Sequence, residues 1–229
     1  MESPTPAPAG HRAPPPVVLG LLGGIGSGKS SVARVLAEAG AAWLDADALA
    51  HRALDAPDVV AALVARHGAK VVAGGDPPRV DRAALGRLVF GSDPGQRSAL
   101  VHLESLLHPR VRRDLEERLE QHLTRRDVPA VLLDVPLLLE SSPLAHRCDL
   151  LLFVDCDQDE RARRVLARRG WSRDELARRD ALQMPLAEKR AHADIVLANR
   201  GDEAQLRQEV ARWLAAAGGF TALPRRRSA

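Results

Sequence analysis

The chain has 229 residues, of which 45% are hydrophobic, so it is long enough to bury one substantial core. Its formal net charge is only +3, and its aromatic content, with no tyrosine and three phenylalanines, argues against a stacking platform for single-stranded nucleic acid. We therefore expect no nucleic acid as a partner. No apolar run approaches the roughly 20 residues that a membrane-spanning helix needs, so we expect no membrane as a partner either.

The first 16 residues precede any predicted element. They are rich in proline and alanine and lack the apolar segment of a secretory signal, so we expect a disordered extension over residues 1–16. The folded domain is predicted to span residues 17–216. Residues 217–229 contain an arginine run, which at a chain terminus is usually part of a solvated, flexible tail.

Apolar runs predict five strands: Val17–Leu22, Ala41–Asp47, Ala130–Pro136, Cys148–Cys156 and Ala193–Asn199. Helical periodicity occurs between and after them, in Pro109–Arg126, Asp159–Arg169 and Asp202–Ala216. Buried strands that alternate with helices predict an α/β fold with a doubly wound, mostly parallel five-stranded sheet. In such folds the ligand lies at the carboxyl ends of the strands.

Two helical regions are predicted to accompany this sheet. Residues 48–107 contain no convincing strand and are interpreted as a helical insertion with a turn at Gly74–Arg79. Residues 158–183 are interpreted as a lid of two helices, joined by an exposed turn at Arg169–Ser172.

The chain has two cysteines, Cys148 and Cys156, and neither belongs to a metal-binding spacing. Reduced thiols are typical of a cytoplasmic protein, which is the location we expect. Since no apolar stripe is clearly surplus to the core, we expect a monomer or a weak homo-oligomer.

The stretch Gly23–Ser30, GGIGSGKS, matches G-x-x-x-x-G-K-[ST] at every fixed position, between a predicted strand and a predicted helix. Glycines allow successive backbone N–H groups to turn towards phosphate oxygens, and the helix N-terminus adds partial positive charge. Lys29 is expected to reach the β- and γ-phosphates, and the Ser30 hydroxyl to ligate Mg²⁺. The residues predicted to bind the triphosphate are Gly24, Ile25, Gly26, Ser27, Gly28, Lys29, Ser30 and Ser31.

The glycine-rich turn predicts a nucleoside-triphosphate site without defining the reaction. A GTPase would carry an N-K-x-D sequence, and this chain has none. A short chain with its own arginine-rich lid favours a kinase that closes over two small substrates. One or two of the lid arginines are expected to point inward and the rest to face solvent: Arg161, Arg163, Arg164, Arg168 and Arg169.

Carboxylates end two of the predicted strands. Asp45 and Asp47 would share one face of an extended strand, and Asp134 ends the next strand. A carboxylate at this edge of the sheet can accept the proton of an acceptor hydroxyl, and we assign that role to Asp47. Asp134 has the position of a Walker-B-type acid near the metal. The alternative for these aspartates is helix capping, because helical sequence follows them.

Five motifs occur in register over roughly residues 17–216: GLLGGIGSGKSSVA, DADALAH, LLHP, DVPLLLE and Q…EK…ADIVLANRG. Together they resemble the dephospho-coenzyme A kinase family. The resemblance implies a P-loop core with a helical substrate-binding subdomain and a mobile lid. It also implies transfer of the γ-phosphoryl group of ATP, with Mg²⁺, to the ribose 3′-hydroxyl of dephospho-coenzyme A, the last step of coenzyme A synthesis.

The resemblance also implies roles for particular residues. Asp47 corresponds to the general base, and Arg164 and Arg168 correspond to lid arginines that approach the transferring phosphate. The residues implied on the acceptor side are Asp47, His51, His108, Asp134 and Arg179. Arg179 and Gln183 match an R-x-x-x-Q motif, and a closing motif near the adenine is matched by Lys189, Asp194 and Asn199.

Three residues depart from the family pattern: Leu22 replaces a common Thr, His51 a frequent Arg, and Asp180 a usual apolar residue. None of them belongs to the phosphate-binding turn. Without the resemblance, His108 would be interpreted as an ordinary histidine before a helix that begins at Pro109.

The residues alone leave two other functions open. One is a nucleoside or nucleotide kinase of similar build, which would phosphorylate a nucleoside or AMP. The other is a nucleotide-binding regulator that uses the basic tail. Asp47 and the lid arginines argue against a regulator, because a protein that only binds nucleotide needs no proton acceptor.

Overall fold

The computed structural model describes residues 14–91 and 93–225, and the predicted extension and tail lie outside this part over residues 1–13 and 226–229. The strands are β1 (Val17–Leu22), β2 (Ala42–Asp45), β3 (Val72–Ala73), β4 (Arg79–Val80), β5 (Ala130–Asp134), β6 (Leu150–Asp155) and β7 (Ile195–Ala198). The helices are α1 (Lys29–Glu38), α2 (Ala46–Ala53), α3 (Pro57–His67), α4 (Arg82–Val89), α5 (Pro94–Arg125), α6 (Leu138–Ser141), α7 (Gln158–Arg169), α8 (Arg173–Asp180), α9 (Leu186–Ala191) and α10 (Glu203–Ala216).

Five strands form one parallel sheet in the order β2-β5-β1-β6-β7, which confirms the predicted fold class. Each predicted strand is present, four of them within shorter bounds than the apolar runs suggested. Strand β1 is central and buried along its whole length. The glycine-rich turn that follows β1 is therefore held at the middle of the carboxyl edge of the sheet.

Alternate residues of β1 pack against helices on opposite faces of the sheet. Leu19 and Leu21 belong to a core that includes α1 and α10, whereas Val18 and Leu22 belong to a core that includes α2 and α5. Both faces are covered, which is why the central strands read as continuous apolar runs.

The insertion has a separate core, built from α3, α4 and the first part of α5. It is mostly helical as predicted, but the expectation that it contains no strand is wrong. Strands β3 and β4 pair in antiparallel fashion around the predicted turn, with Val72 opposite Val80. Two-residue strands are too short for alternation to be visible in the sequence.

Helix α5 is 32 residues long and contains Pro109, so the prediction of a helix that begins at Pro109 is wrong. The helix begins at Pro94, where Asp93 and Gln96 form a capping box. Proline removes one backbone hydrogen bond within a helix. The buried neighbours Leu107 and Val111 pack into different cores on either side of it, which holds the helix together.

The segment after α10 packs against the sheet as far as the structure describes it. Phe220 and Leu223 are buried in the core beside α1, although the sequence placed them in a flexible tail. None of the helices within residues 14–91 and 93–225 is both long and apolar enough to cross a membrane.

Candidate active site

The glycine-rich turn connects β1 to α1 and requires glycine for local reasons. Gly26 and Gly28 have φ angles of 77° and 90°, which side chains with a Cβ rarely adopt. A Cβ on Gly28 would also lie 2.1 Å from Nδ2 of Asn199. Lys29 begins the helix, and its Nζ donates to the carbonyls of Gly23 and Gly24 at 3.0 and 3.2 Å.

The backbone of the turn is held by side chains from distant parts of the chain. Asn199 Nδ2 donates to the carbonyl of Ser27 at 2.7 Å, and Arg164 donates to the same carbonyl at 3.2 Å. The C=O and N–H of a trans peptide point in opposite directions, so these bonds fix the direction of the Gly28 N–H. Asn199, which is only 4% exposed, therefore supports the phosphate-binding backbone.

Arg164 was expected to approach the transferring phosphate. In the structure its N–H groups donate to protein atoms: the Glu160 carboxylate at 2.7 Å, and the carbonyls of Asn199 and Gly201 at 3.2 and 3.3 Å, in addition to Ser27. Arg164 lines the pocket, but these contacts make it a support for the turn.

A pocket of about 620 Å³ opens beside the turn, a size typical of small-molecule sites. Twelve of the residues predicted from the sequence line it: Gly24, Ile25, Gly26, Gly28, Lys29, Ser30, Ser31, Asp47, Asp134, Arg164, Arg168 and Arg179. The predicted Ser27 belongs to the turn but is only 1% exposed and does not line the pocket. Gln183 and Lys189, from the closing motifs, also line this pocket.

The carboxylates are arranged differently from the prediction that Asp45 and Asp47 share an extended strand. Strand β2 ends at Asp45, which caps α2 by accepting the N–H of Ala48 at 2.9 Å. Asp47 lies in the first turn of α2, exposed to the pocket. Asp134 is opposite Asp45 in the register of β5 and β2, at the same edge of the sheet.

Burial and charge perturb the two groups at the centre of the pocket. Burial raises the pKa of Asp134 to about 6, although the nearby ammonium of Lys29 acts in the opposite direction. Burial also lowers the pKa of Lys29, against the influence of Asp134. Perturbed groups of opposite charge in a cleft are typical of catalytic sites.

A buried lysine forms another part of the wall. Lys189 Nζ lies 2.7 Å from the Glu140 carboxylate and 3.1 Å from the side-chain oxygen of Gln183. Glu140 also accepts the backbone N–H of Met184 at 3.2 Å. This network joins the residues after β5 to the segment before α9, and sequence reasoning did not identify Glu140.

The α7–α8 segment supplies the remaining cationic wall. The guanidinium of Arg179 stacks on the ring of Trp171 at 3.9 Å, and Arg169 approaches the same ring at 4.8 Å. Arg168 lines the pocket, is exposed, and has no hydrogen bond or ion pair within residues 14–91 and 93–225. It is thus available to a ligand in a way that Arg164 is not.

Some predicted residues lie elsewhere. His51 and His108 are exposed on α2 and α5 and do not line the pocket. Glu104, one turn before His108 on the same helix, lines it instead, and this i, i−4 spacing was the only signal for it. Asp194 accepts the N–H of Leu151 at 2.8 Å, at the start of β6 and thus at the opposite edge of the sheet.

The donor groups of the pocket suit a metal that arrives with a nucleotide. No group of three His, Cys, Asp or Glu residues in the described part of the chain could hold a metal ion by itself. Ser30 and Asp134 both line the pocket. A hydroxyl, a carboxylate and water are typical ligands of Mg²⁺ that is held together with substrate phosphates.

The class of the protein follows from where these groups meet. A glycine-rich turn at the N-terminus of a helix, a desolvated lysine and two aspartates share one pocket at the carboxyl edge of a parallel sheet, as in the P-loop kinases.

Comparison with known proteins identifies the family. The sequence profile of the dephospho-CoA kinase family matches residues 17–205. The chain is 43% identical over 204 residues to the dephospho-CoA kinase of Symbiobacterium thermophilum, covering 88% of this chain and 82% of that protein. It is 44% identical over 192 residues to the enzyme of Thermus thermophilus, covering 84% and 87%. The chain belongs to the dephospho-CoA kinase family.

Solved structures share the fold of this chain. The crystal structure of TT1252 from Thermus thermophilus is similar with a TM-score of 0.66 and 41% identity, over 88% of this chain and 97% of that one. The dephospho-CoA kinase from Campylobacter jejuni has the same fold, with a TM-score of 0.63 and 21% identity, over 87% and 96% of the two chains.

Proposed function

We propose that this chain transfers the γ-phosphoryl group of ATP to the ribose 3′-hydroxyl of dephospho-coenzyme A, and that the pocket beside the glycine-rich turn is where it does so. The observation that carries the proposal is the meeting of Lys29, Asp47 and Asp134 in a pocket of about 620 Å³. The dephospho-CoA kinases among its relatives have the activity that these groups would serve.

The triphosphate would bind to the backbone N–H groups of the turn and to the ammonium of Lys29. Lys29 donates to two carbonyls of the turn, and this position beside the turn supports its role as a ligand of the β- and γ-phosphates. Mg²⁺, when bound, would neutralise part of the charge on the phosphates. Ser30 and Asp134 are the residues suited to hold it, directly or through water.

Asp47 would act as the general base. As the oxygen of the acceptor hydroxyl forms a bond to the γ-phosphorus, the bond from that phosphorus to ADP breaks, and the hydroxyl proton passes to the Asp47 carboxylate. The exposure of Asp47 towards the pocket, from the first turn of α2, supports this role. Asp134 is more deeply placed, at the end of β5 and close to the ammonium of Lys29, which suits it to the metal.

The α7–α8 segment would act as a lid, with Arg168 as the arginine that contacts the transferring phosphate. Arg168 has no partner among the described residues, and its side chain is exposed at the wall of the pocket. Arg179, stacked on Trp171, would contact the acceptor. Glu104 would face a hydrogen-bond donor of the acceptor, since a carboxylate repels phosphate.

Two further properties belong to this proposal. The cysteines Cys148 and Cys156, which we expect to be reduced thiols, support a cytoplasmic location. We also expect a monomer or a weak homo-oligomer.

An acceptor screen tests the function. Purified protein with Mg²⁺ and ATP is offered dephospho-coenzyme A, AMP, adenosine or water, while ADP release is followed and the product mass is measured. The expected result is the addition of one phosphate to dephospho-coenzyme A alone, and Lys29→Ala should abolish it. Phosphorylation of AMP or adenosine instead would show a nucleotide or nucleoside kinase, and ADP release without an acceptor would show an ATPase.

A further inference from the structure

Arg161 is a buried cation that the proposed reaction does not use. Its residue is 4% exposed, and it lies on α7 beneath the glycine-rich turn. One terminal nitrogen, Nη1, donates to the carbonyl of Ile25 at 3.1 Å and to the Asp180 carboxylate at 2.8 Å. A single guanidinium therefore joins α7, the last residue of α8, and the phosphate-binding turn.

The contact with the turn depends on how closely the backbone approaches. A Cβ on Gly24 would lie 2.8 Å from Nη1 of Arg161, so the guanidinium packs against a position that must lack a side chain. Asp180 is the other partner: its side chain is 23% exposed and forms an ion pair at 2.8 Å with the Arg161 side chain, which is 5% exposed. The pair thus links the two helices through charges that are largely removed from water.

The bond to Ile25 has a geometric consequence for phosphate binding. In a trans peptide the carbonyl and the following N–H point in opposite directions. While Arg161 holds the Ile25 carbonyl, the Gly26 N–H is fixed on the other side of that peptide. Gly26 has a φ of 77° and no Cβ, so without this bond its peptide plane could rotate at little steric cost.

The carboxylate of Asp180 balances the charge of this arrangement. Arg161 contributes to lowering the pKa of the nearby Lys29, so the two cations influence each other. A buried cation without a partner is costly, and removal of one partner of a buried pair is far more damaging than removal of both. Asp180 therefore allows a guanidinium to sit under the turn.

We propose that Arg161 and Asp180 are a positioning pair, which holds the Ile25–Gly26 peptide in its phosphate-binding orientation and makes ATP affinity depend on the placement of α8. This inference rests on the proposed function only in that the turn binds ATP. Neither residue touches the reacting atoms, and both act through the backbone of the turn.

The test measures ATP binding in the absence of any acceptor, by calorimetry, together with the melting temperature. The variants are Arg161→Met, Asp180→Leu and the double variant Arg161→Met/Asp180→Leu. Because a buried pair can be replaced by apolar residues at little cost, the double variant should melt within about 2 °C of wild type. Its ATP dissociation constant should nevertheless rise about tenfold, since the binding-competent orientation of the turn becomes a minor population.

The control is Asp159→Asn, which breaks the exposed ion pair between Asp159 and Arg173 that also joins α7 to α8. It should leave ATP affinity unchanged. If the double variant regains both stability and wild-type ATP affinity, the pair is only structural and the inference is overturned.

A further variant covers the case in which the double variant does not fold. Arg161→Lys keeps the charge but lacks the planar guanidinium that donates to both Ile25 and Asp180. We expect at least a threefold loss of ATP affinity at unchanged KM for the acceptor, and unchanged ATP affinity would overturn the inference. Wild-type protein that fails to bind ATP would contradict the proposed function itself.

Discussion

Asp134→Asn should make the protein more stable above pH 6 and less active. The substitution keeps the shape of the side chain but removes a carboxylate that is half-buried at the end of β5 beside Lys29. Loss of the carboxylate should also lower turnover, because the proposed metal ligand is gone while the pocket keeps its shape.

The magnitude follows from the pKa of Asp134, which burial raises from 3.8 to about 6. That difference of about 2.2 pH units, at 1.36 kcal/mol each, corresponds to about 3 kcal/mol. Since the pKa in the folded state lies above the unfolded value, protonation favours the folded state. This contribution is complete below pH 3.8 and is lost as the pH rises through about 6.

Asparagine at this position does not titrate, so the variant should escape that loss. Between pH 4 and pH 7 the variant should therefore keep most of the roughly 3 kcal/mol of unfolding free energy that the wild type loses on titration. For a chain of this length the change corresponds to roughly 6–12 °C in melting temperature.

Urea denaturation of ligand-free wild type and variant, at a series of pH values from 4 to 8, measures this difference. The control variant is Asp174→Asn, at an exposed aspartate in the first turn of α8. Its free energy of unfolding should vary with pH in parallel with that of wild type. If the Asp134→Asn curve also runs parallel to wild type, the raised pKa of Asp134 is refuted as a determinant of stability.

Three further substitutions separate the roles of residues in the pocket. Asp47→Asn should lower kcat about 100-fold or more while the ATP dissociation constant stays within about twofold, and near-normal turnover would remove Asp47 as the base. Glu104→Gln should raise KM for dephospho-coenzyme A about tenfold at unchanged KM for ATP, because a charged hydrogen-bond acceptor is lost. An equal change in both constants would contradict the placement of Glu104 on the acceptor side. Arg168→Ala should lower kcat about 100-fold at unchanged melting temperature, whereas the exposed lid control Arg163→Ala should leave kcat unchanged.

The phosphate-binding turn could be predicted from the sequence because its chemistry is local. Successive residues from Gly23 to Ser30 form the site, and the strand and helix on either side could be recognised from their apolar patterns. The position of Asp134 could also be predicted, because the carboxyl ends of parallel strands meet at one edge of the sheet.

The sequence could not predict whether a given polar side chain on a helix or strand bonds to the turn or lines the pocket. Arg164 and Arg168 are four residues apart on α7. Arg164 is bonded to the backbone of the turn, whereas Arg168 lines the pocket and has no partner in the part of the chain that the structure describes. Asn199 likewise supports the turn from beneath. These outcomes depend on contacts between segments more than 100 residues apart, for which a single sequence carries no periodic signal.

Helix α5 is shared by two of the cores described above. Its first half contributes Leu103 to the core of the insertion, and its second half contributes Leu115 and Leu119 to the core of the sheet. If the insertion unfolded alone, it would expose the apolar side chains of the first half of α5 while the second half stayed packed against the sheet. The insertion and the sheet domain should therefore unfold in a single cooperative transition. Pro109 has no N–H to donate to the carbonyl of Ser105, so within α5 we expect the backbone amides around these two residues to be the least protected from hydrogen exchange.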